Sequence, residues 1–267
     1  MRLSVGTPAG VREDETVTLS LPLTLVGGPT LLFTYAGLRF ITDPTFDEPG
    51  DHGGLIKTAG PAVPVEEVGP VDVALISHDH HPDNLDDAGR AVAHRARLAL
   101  TTQAGAERDS AFVGLAEGQS VTVTGEVAVT VTAVPAQHGP AHVAPHTGPV
   151  IGFILSAEGW PTVYFSGDNS EVDVVEDIAA QHPDVALAIL CVGAARVANR
   201  GPEPLTLDAD RAVAVAGLWP RARIVPVHAE GWAHFSEPRE HMVRVLTEAV
   251  GHRALILDHG METAVEV

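Results

Sequence analysis

The stretch Ser77-His78-Asp79-His80-His81-Pro82-Asp83-Asn84-Leu85-Asp86 follows the apolar run Val71-Asp72-Val73-Ala74-Leu75-Ile76. The run reads as a buried strand, so three imidazoles and three carboxylates crowd into the turn where a strand ends. Imidazole and carboxylate together are the donor set of a divalent transition metal. Histidines at i and i+2 converge on one ion only in a bent, non-helical segment, and Pro82 and Asn84 supply the bend. The bland alternative is a polar surface turn rich in His. Matching donors elsewhere in the chain decide against it.

Upstream, Val17 to Leu25, Thr30 to Tyr35 and Leu38 to Thr42 alternate as strands, with turns at Gly27-Gly28-Pro29 and Ala36-Gly37. Residues 1 to 15 read as a loosely attached N-terminus. Residues 44 to 70 hold five prolines and five glycines and read as a loop over a functional region. Downstream, Asp86-Asp87 open a helix to about Arg97, because carboxylates favour a helix N-terminus. Leu98 to Thr101 is a short strand, and Val121 to Val134 is a hairpin turning at Gly125-Glu126. A second hairpin joins Val150 to Ser156 with Thr162 to Ser166. Helices are expected at Val172 to Gln181, Asp208 to Leu218 and from Pro238 to about Ala249. Strands run to Leu190, over Arg223 to Val227 and, as the closing element, over Leu255-Ile256-Leu257. Both halves run strands first and helices after, which favours two sheets packed inside and helices outside. No composition shift marks a linker, so residues 1 to 267 read as a single domain.

Of 267 residues, 45% are hydrophobic, enough for a large core. The balance of 16 basic to 35 acidic residues, formally −19, opposes binding to nucleic acid or anionic lipid, and no basic patch offsets it. Lys57 is the sole lysine, and a lone Lys is weak evidence for an anion contact. Cys191, the sole cysteine, rules out an intrachain disulfide and sits in a strand-like run as a small core thiol. The first residues lack the apolar segment of a secretory signal. No run reaches the ~18 apolar residues of a membrane span. A cytoplasmic protein is expected.

Polar residues recur just past apolar strands: Asp43, the His78–Asp83 group, His138, Asp168 and His228. Each has an ordinary explanation as a turn former or a strand-end residue. Strand ends in a layered fold gather along one rim, however, and jointly these residues point to one shared site. Cys191, His142 and His146 weigh more as structural or surface residues.

The segments GGPTLLFTYAGLRFITDPTFDEPG, SHDHHPDNLD, PAQHG, VYFSGDN and PVHAEGWAHF together resemble the metallo-β-lactamase-fold metal-dependent hydrolase superfamily. The resemblance runs from about Val17 to the C-terminus. It is strongest to the lactonase-like (ascorbate-6-phosphate lactonase-like) and phosphodiesterase-like branch. It implies a four-layer αββα sandwich with metals at the rim between two sheets. It also implies that His78, His80 and His138 form a first metal site and that Asp168 bridges two ions. His228 and Asp83 would complete the second site, with Asp43 orienting the first loop by hydrogen bonding. The usual run of the family is His-x-His-x-Asp-His; here the Asp comes one residue later and Asn84 stands where a His is expected. Either His81 swings in as a replacement, or the second site is weak, or one metal is held. Zinc, one or two ions, is the expected cofactor, and manganese suits a second site richer in oxygen.

Such ligands imply a metal-bound hydroxide acting on a small-molecule ester, lactone or phosphodiester. Asp83, His81 and His234 are the candidate catalytic side chains: Asp83 to hold or deprotonate water, His234 to meet the oxyanion or the leaving group. The alternative class is a non-catalytic metal-binding scaffold or sensor, separated from the first by metal content and turnover. The expected partner is a small molecule rather than nucleic acid or membrane, and the chain is compatible with a homo-oligomer.

Overall fold

In a computed structural model, which describes residues 19–267, fifteen strands and six α-helices are arranged around two facing sheets. The meander comprises β1 (Ser20–Gly27), β2 (Thr30–Tyr35) and β3 (Leu38–Thr42), and the last two match the sequence reading. The expected start of β1 at Val17 lies outside the described residues, as does the N-terminus. Next come β6 (Val73–Leu75), α1 (Asp87–Arg95), β7 (Leu98–Thr102), α2 (Gln103–Arg108) and β8 (Val113–Leu115). With β15 (Glu262–Glu266) they form a seven-stranded sheet of order β15-β1-β2-β3-β6-β7-β8. Its β15-to-β3 half is antiparallel and its β3-to-β8 half parallel.

The second sheet contains β9 (Ser120–Val123), β10 (Val129–Pro135), β11 (Ile151–Ala157), β12 (Thr162–Phe165), β13 (Val185–Cys191) and β14 (Arg223–Val227). Its order is β14-β13-β12-β11-β10-β9. α3 (Ala144–Thr147), α4 (Val172–Gln181), α5 (Ala209–Leu218) and α6 (Arg239–Val250) complete the set.

Three apolar cores define the layers. Leu23, Phe33, Phe40, Leu75, Val131, Phe153, Phe165 and Ile189 belong to one cluster drawn from both sheets, so the sheets face each other. Tyr164, Ala188 and Ile224 pack beneath the apolar stripes of α4, α5 and α6, where Ile178, Val215 and Leu246 are buried. Ile41, Ala74 and Ile76 turn the other way, against Val92 and Ala93 of α1 and against Val68 and Val71. Alternate residues of each strand thus serve opposite faces, and the result is the expected αββα stack. Cys191 is fully buried in the inter-sheet core. No helix among the described residues is long and apolar enough to cross a membrane.

Two expected elements change. Leu255-Ile256-Leu257 forms no strand: Leu255 donates once, to Ile224, and Leu257 is buried in the core. The closing strand is β15, whose Glu-Thr-Ala-Val-Glu composition hides an edge strand with exposed polar residues. Within residues 44 to 70 the chain forms a small hairpin of β4 (Gly50–His52) and β5 (Leu55–Lys57), where a loop was expected. Its tip at Gly53-Gly54 has φ of +67° and +98°, which glycine adopts freely.

Asp86 is the hinge between this loop and α1. Its carboxylate caps α1 through Gly89 N (2.7 Å) and accepts from Phe46 N (2.8 Å), Asp47 N (2.7 Å) and Lys57 Nζ (3.0 Å). Gly89 has to be glycine here, because a Cβ would stand 1.7 Å from the Pro44 carbonyl oxygen. Lys57 is buried, so the sole lysine serves this joint rather than a substrate.

Candidate metal centre

Five strand ends deliver the polar residues to one rim. Asp43 follows β3, the His-rich turn follows β6, His138 follows β10, Asp168 follows β12 and His228 follows β14. Asp43 (φ 29°) and His228 (φ 57°) both adopt left-handed backbone conformations, which cost free energy for a residue with a Cβ and concentrate at functional sites. The His228 N–H donates to the Gly28 carbonyl at 2.7 Å, which holds that conformation.

His78, His81 and His138 form one group whose ring nitrogens lie within 4.8 Å of one another; one atom each from Asp83, Asp168 and His228 forms another. His81 Nδ1 stands 2.8 Å from His78 Nε2 and 3.3 Å from His138 Nε2. Hydrogen bonds on the far side of two rings fix which nitrogen faces inward. His138 Nδ1 donates to the Leu205 carbonyl (2.8 Å), leaving the Nε2 lone pair free. Ser77 Oγ donates to Asp43 Oδ2 (2.7 Å), so His78 Nδ1 donates to Ser77 Oγ (3.0 Å) and its Nε2 lone pair also turns inward. Asp43 further accepts from Ser77 N at 2.6 Å, and so orients the loop that carries His78.

Neutral imidazoles suit this crowding. Burial, then the neighbouring His81, holds His78 well below the usual histidine range, and burial with His138 lowers His81 to about 4. In the second group the charges oppose burial. Burial alone would lower His228, but Asp168 and Asp83 outweigh it and raise it to about 10. Burial would raise Asp83 and Asp168, yet the imidazole of His228 holds both below the usual carboxylate range, joined at Asp83 by His234. Burial raises Asp43 to about 7 despite its donors.

The grouping departs from the expected one at one position. His81, not His80, meets His78 and His138. The turn closed by Asn84 N and Leu85 N on the His81 carbonyl (3.1 and 3.0 Å) swings His81 inward. His80 turns aside, its Nε2 2.6 Å from the Thr147 carbonyl and its Nδ1 4.0 Å from Asp79. Asn84 does not present its oxygen to a carboxylate. Its Nδ2 donates to Asp43 Oδ2 and to Asp168 Oδ1, both at 3.0 Å. His234 Nε2 lies 3.0 Å from Asp83 Oδ2 and so places another imidazole beside the second group. His142 and His146 are exposed. The tethering roles of Ser77, Asn84 and Asp86 escaped the sequence reading; the one available signal was their place within the His-rich turn.

The donor atoms fit a cation. Asp83 Oδ1, Asp168 Oδ2 and both His228 ring nitrogens are buried without a hydrogen-bond partner among the described residues. Native interiors rarely tolerate such orphans, and a divalent ion would satisfy them. Imidazole nitrogens in one group and carboxylate oxygens with one imidazole in the other are donors for a divalent transition metal. A cavity of about 220 Å³ opens beside both groups, lined by His81, Asp83, His138 and His234.

A two-sheet sandwich with buried His and Asp donors converging at its rim defines a class of metal-centre protein. Residues 38–229 match the family model described as the beta-lactamase superfamily domain, and the chain belongs to that family. It is 28% identical over 206 residues to a UPF0173 metal-dependent hydrolase of Anaeromyxobacter dehalogenans strain 2CP-C, covering 71% of this chain and 65% of that protein. The chain therefore spans less than two thirds of that relative's length. Among solved structures, the fold resembles an isothiocyanate hydrolase from Delia radicum gut bacteria, with TM-score 0.77, 22% identity and coverage of 92% of this chain and 99% of that one. It also resembles a possible metal-dependent hydrolase from Veillonella parvula DSM 2008, with TM-score 0.80, 17% identity and coverage of 92% and 100%.

Proposed function

We propose that the chain is a metal-dependent hydrolase that cleaves an ester, lactone or phosphodiester bond in a small molecule. The observation that carries this reading is the pair of adjacent three-residue groups, His78/His81/His138 and Asp83/Asp168/His228, with buried donor atoms left unpaired. The names of the relatives, metal-dependent hydrolases, support the same reading.

His78, His81 and His138 would hold one ion and Asp83, Asp168 and His228 a second, with zinc preferred and manganese an option at the second. Bound there, a divalent ion supplies Lewis acidity and lowers the pKa of water towards neutrality. The residues do the positioning. Asp43 through Ser77 fixes the His78 ring, and Leu205 fixes His138. His234, 3.0 Å from Asp83 and open to the cavity, would carry a proton to the leaving group or meet the developing negative charge. Asp83 would help to orient water. His81 enters as a ligand rather than as an acid or base. Lactones and carboxylic esters, small enough for a cavity of about 220 Å³, are the leading substrates.

Elemental analysis paired with a screen of lactones, esters and phosphodiesters tests the proposal. One to two zinc or manganese ions per chain with turnover lost in His78→Ala is expected. Stoichiometric metal without turnover on any substrate would favour a scaffold or sensor. A metal-free protein of equal activity would refute the proposal.

A further inference from the structure

Arg200 sits in the wall of the cavity that opens on both metal-binding groups. Among the described residues lining that cavity it is the only Lys or Arg. Several other cations are committed to partners elsewhere, and those without one do not line this cavity. Arg90 and Arg108 pair with Asp79, Arg211 with Asp208, Arg239 with Glu230 and Lys57 with Asp86. Arg253 is spent on the carbonyls of Ala216, Trp219 and Ala222. Among the described residues Arg200 has neither a carboxylate within 4.0 Å nor a side-chain hydrogen bond, although it is half-buried and the chain carries 35 acidic residues. A guanidinium left unpaired in the wall of a pocket, in so acidic a protein, is a cation available to a ligand.

The rest of the wall defines the remainder of the ligand. Leu55 at the β4–β5 hairpin, Val197 and Leu205 make an apolar surface beside Arg200. One guanidinium, with no second cation in the lining, matches the planar fork of a single carboxylate better than a phosphate dianion. We propose that Arg200 is a specificity residue that binds a carboxylate on the substrate, so that the preferred substrate is a small ester or lactone with an apolar body and one free carboxylate. This inference rests on the hydrolase reading for the reaction, but not for the binding.

The test uses the metal-loaded full chain, Arg200→Gln and Arg200→Lys. Matched pairs of esters and lactones, each pair differing by one added carboxylate, are compared by kcat/KM. The wild-type protein is expected to prefer the carboxylate member. That preference should fall about 10- to 100-fold in Arg200→Gln, chiefly through KM, and by less in Arg200→Lys, which keeps the charge but not the fork. Calorimetric binding of 3-phenylpropanoate and 3-phenylpropanamide gives a readout independent of turnover. The acid is expected to bind more tightly than the amide in the wild type, with the difference reduced in Arg200→Gln. An unchanged preference and unchanged binding in Arg200→Gln would overturn the inference. Arg200-dependent binding of the acid with no hydrolysis of any pair would uphold it and remove the hydrolase reading. Absence of both hydrolysis and Arg200-dependent binding would remove both.

Discussion

Asn84 Nδ2 donates to Asp168 Oδ1 at 3.0 Å, and through its second hydrogen it holds Asp43 Oδ2 at the same distance. An amide thus bridges two buried carboxylates, one in each half of the sandwich. Asn84→Ala leaves both without that donor. The expected cost is about 1–3 kcal/mol of stability in the metal-free protein. A loss of about 10–100-fold in metal affinity is also expected, because Asp168 is no longer oriented. Chemical denaturation and competition with a chelator measure the two effects; an unchanged affinity would mean that the bridge does not orient Asp168.

The rings of His78, His81 and His138 are mutually adjacent, while His80 is engaged with Thr147. His81→Ala is therefore expected to lower zinc content by about one ion per chain, since a catalytic site held by about three protein ligands loses one of them. His80→Ala should keep its metal. Elemental analysis of the two variants distinguishes the groupings: metal lost in His80→Ala and kept in His81→Ala would restore the arrangement first expected from the sequence.

His228 has its pKa raised to about 10 in the metal-free protein, above an unfolded value of about 6.5. A raised imidazole pKa means that the folded state binds its proton more tightly. The resulting stabilisation is complete below pH 6.5 and disappears as the pH rises through 10. The metal-free protein should therefore lose stability between pH 7 and pH 10, and the metal-loaded protein should lose much less. Uptake of zinc at pH 7.5 should release a proton from His228, since a ligating imidazole is neutral. Calorimetry in buffers of different ionisation enthalpy counts that proton.

Lys57 and Asp86 form an ion pair 3.0 Å long whose side chains are 4% and 0% exposed. Lys57→Met leaves the carboxylate buried with its backbone donors but without its cation. A loss of about 3–5 kcal/mol is expected, as for other buried pairs broken from one side. Urea denaturation measures it. A change below 0.5 kcal/mol, the size of an ordinary surface effect, would show that Phe46, Asp47 and Gly89 alone satisfy Asp86.

Much of the fold was legible because alternation and breakers agreed. Thr30–Tyr35, Leu38–Thr42, Val172–Gln181 and Arg223–Val227 occur as read. Strands with one face on the inter-sheet core and one beneath helices leave a strong apolar signal. β15 gave none, since four of its five residues are polar or small and only Val265 is fully buried. α2 and β8 were missed for want of length and of an apolar stripe. The site's membership was legible from polar residues at strand ends, but the choice between adjacent His80 and His81 was not. That choice depends on how the turn after His78 closes, a matter of carbonyl partners rather than of residue type. Lys57 shows the converse: its charge suggested a ligand contact, and only burial reveals its partner.

The left-handed backbone at Asp43 and His228 complicates alanine scanning at this rim. Alanine there removes a functional group and also forces a methyl-bearing residue to keep an unfavourable torsion, so loss of folding would masquerade as loss of a ligand. Asparagine, which tolerates that torsion far better, separates the two effects: at position 228 it deletes the ring while leaving the chain free to follow the same path.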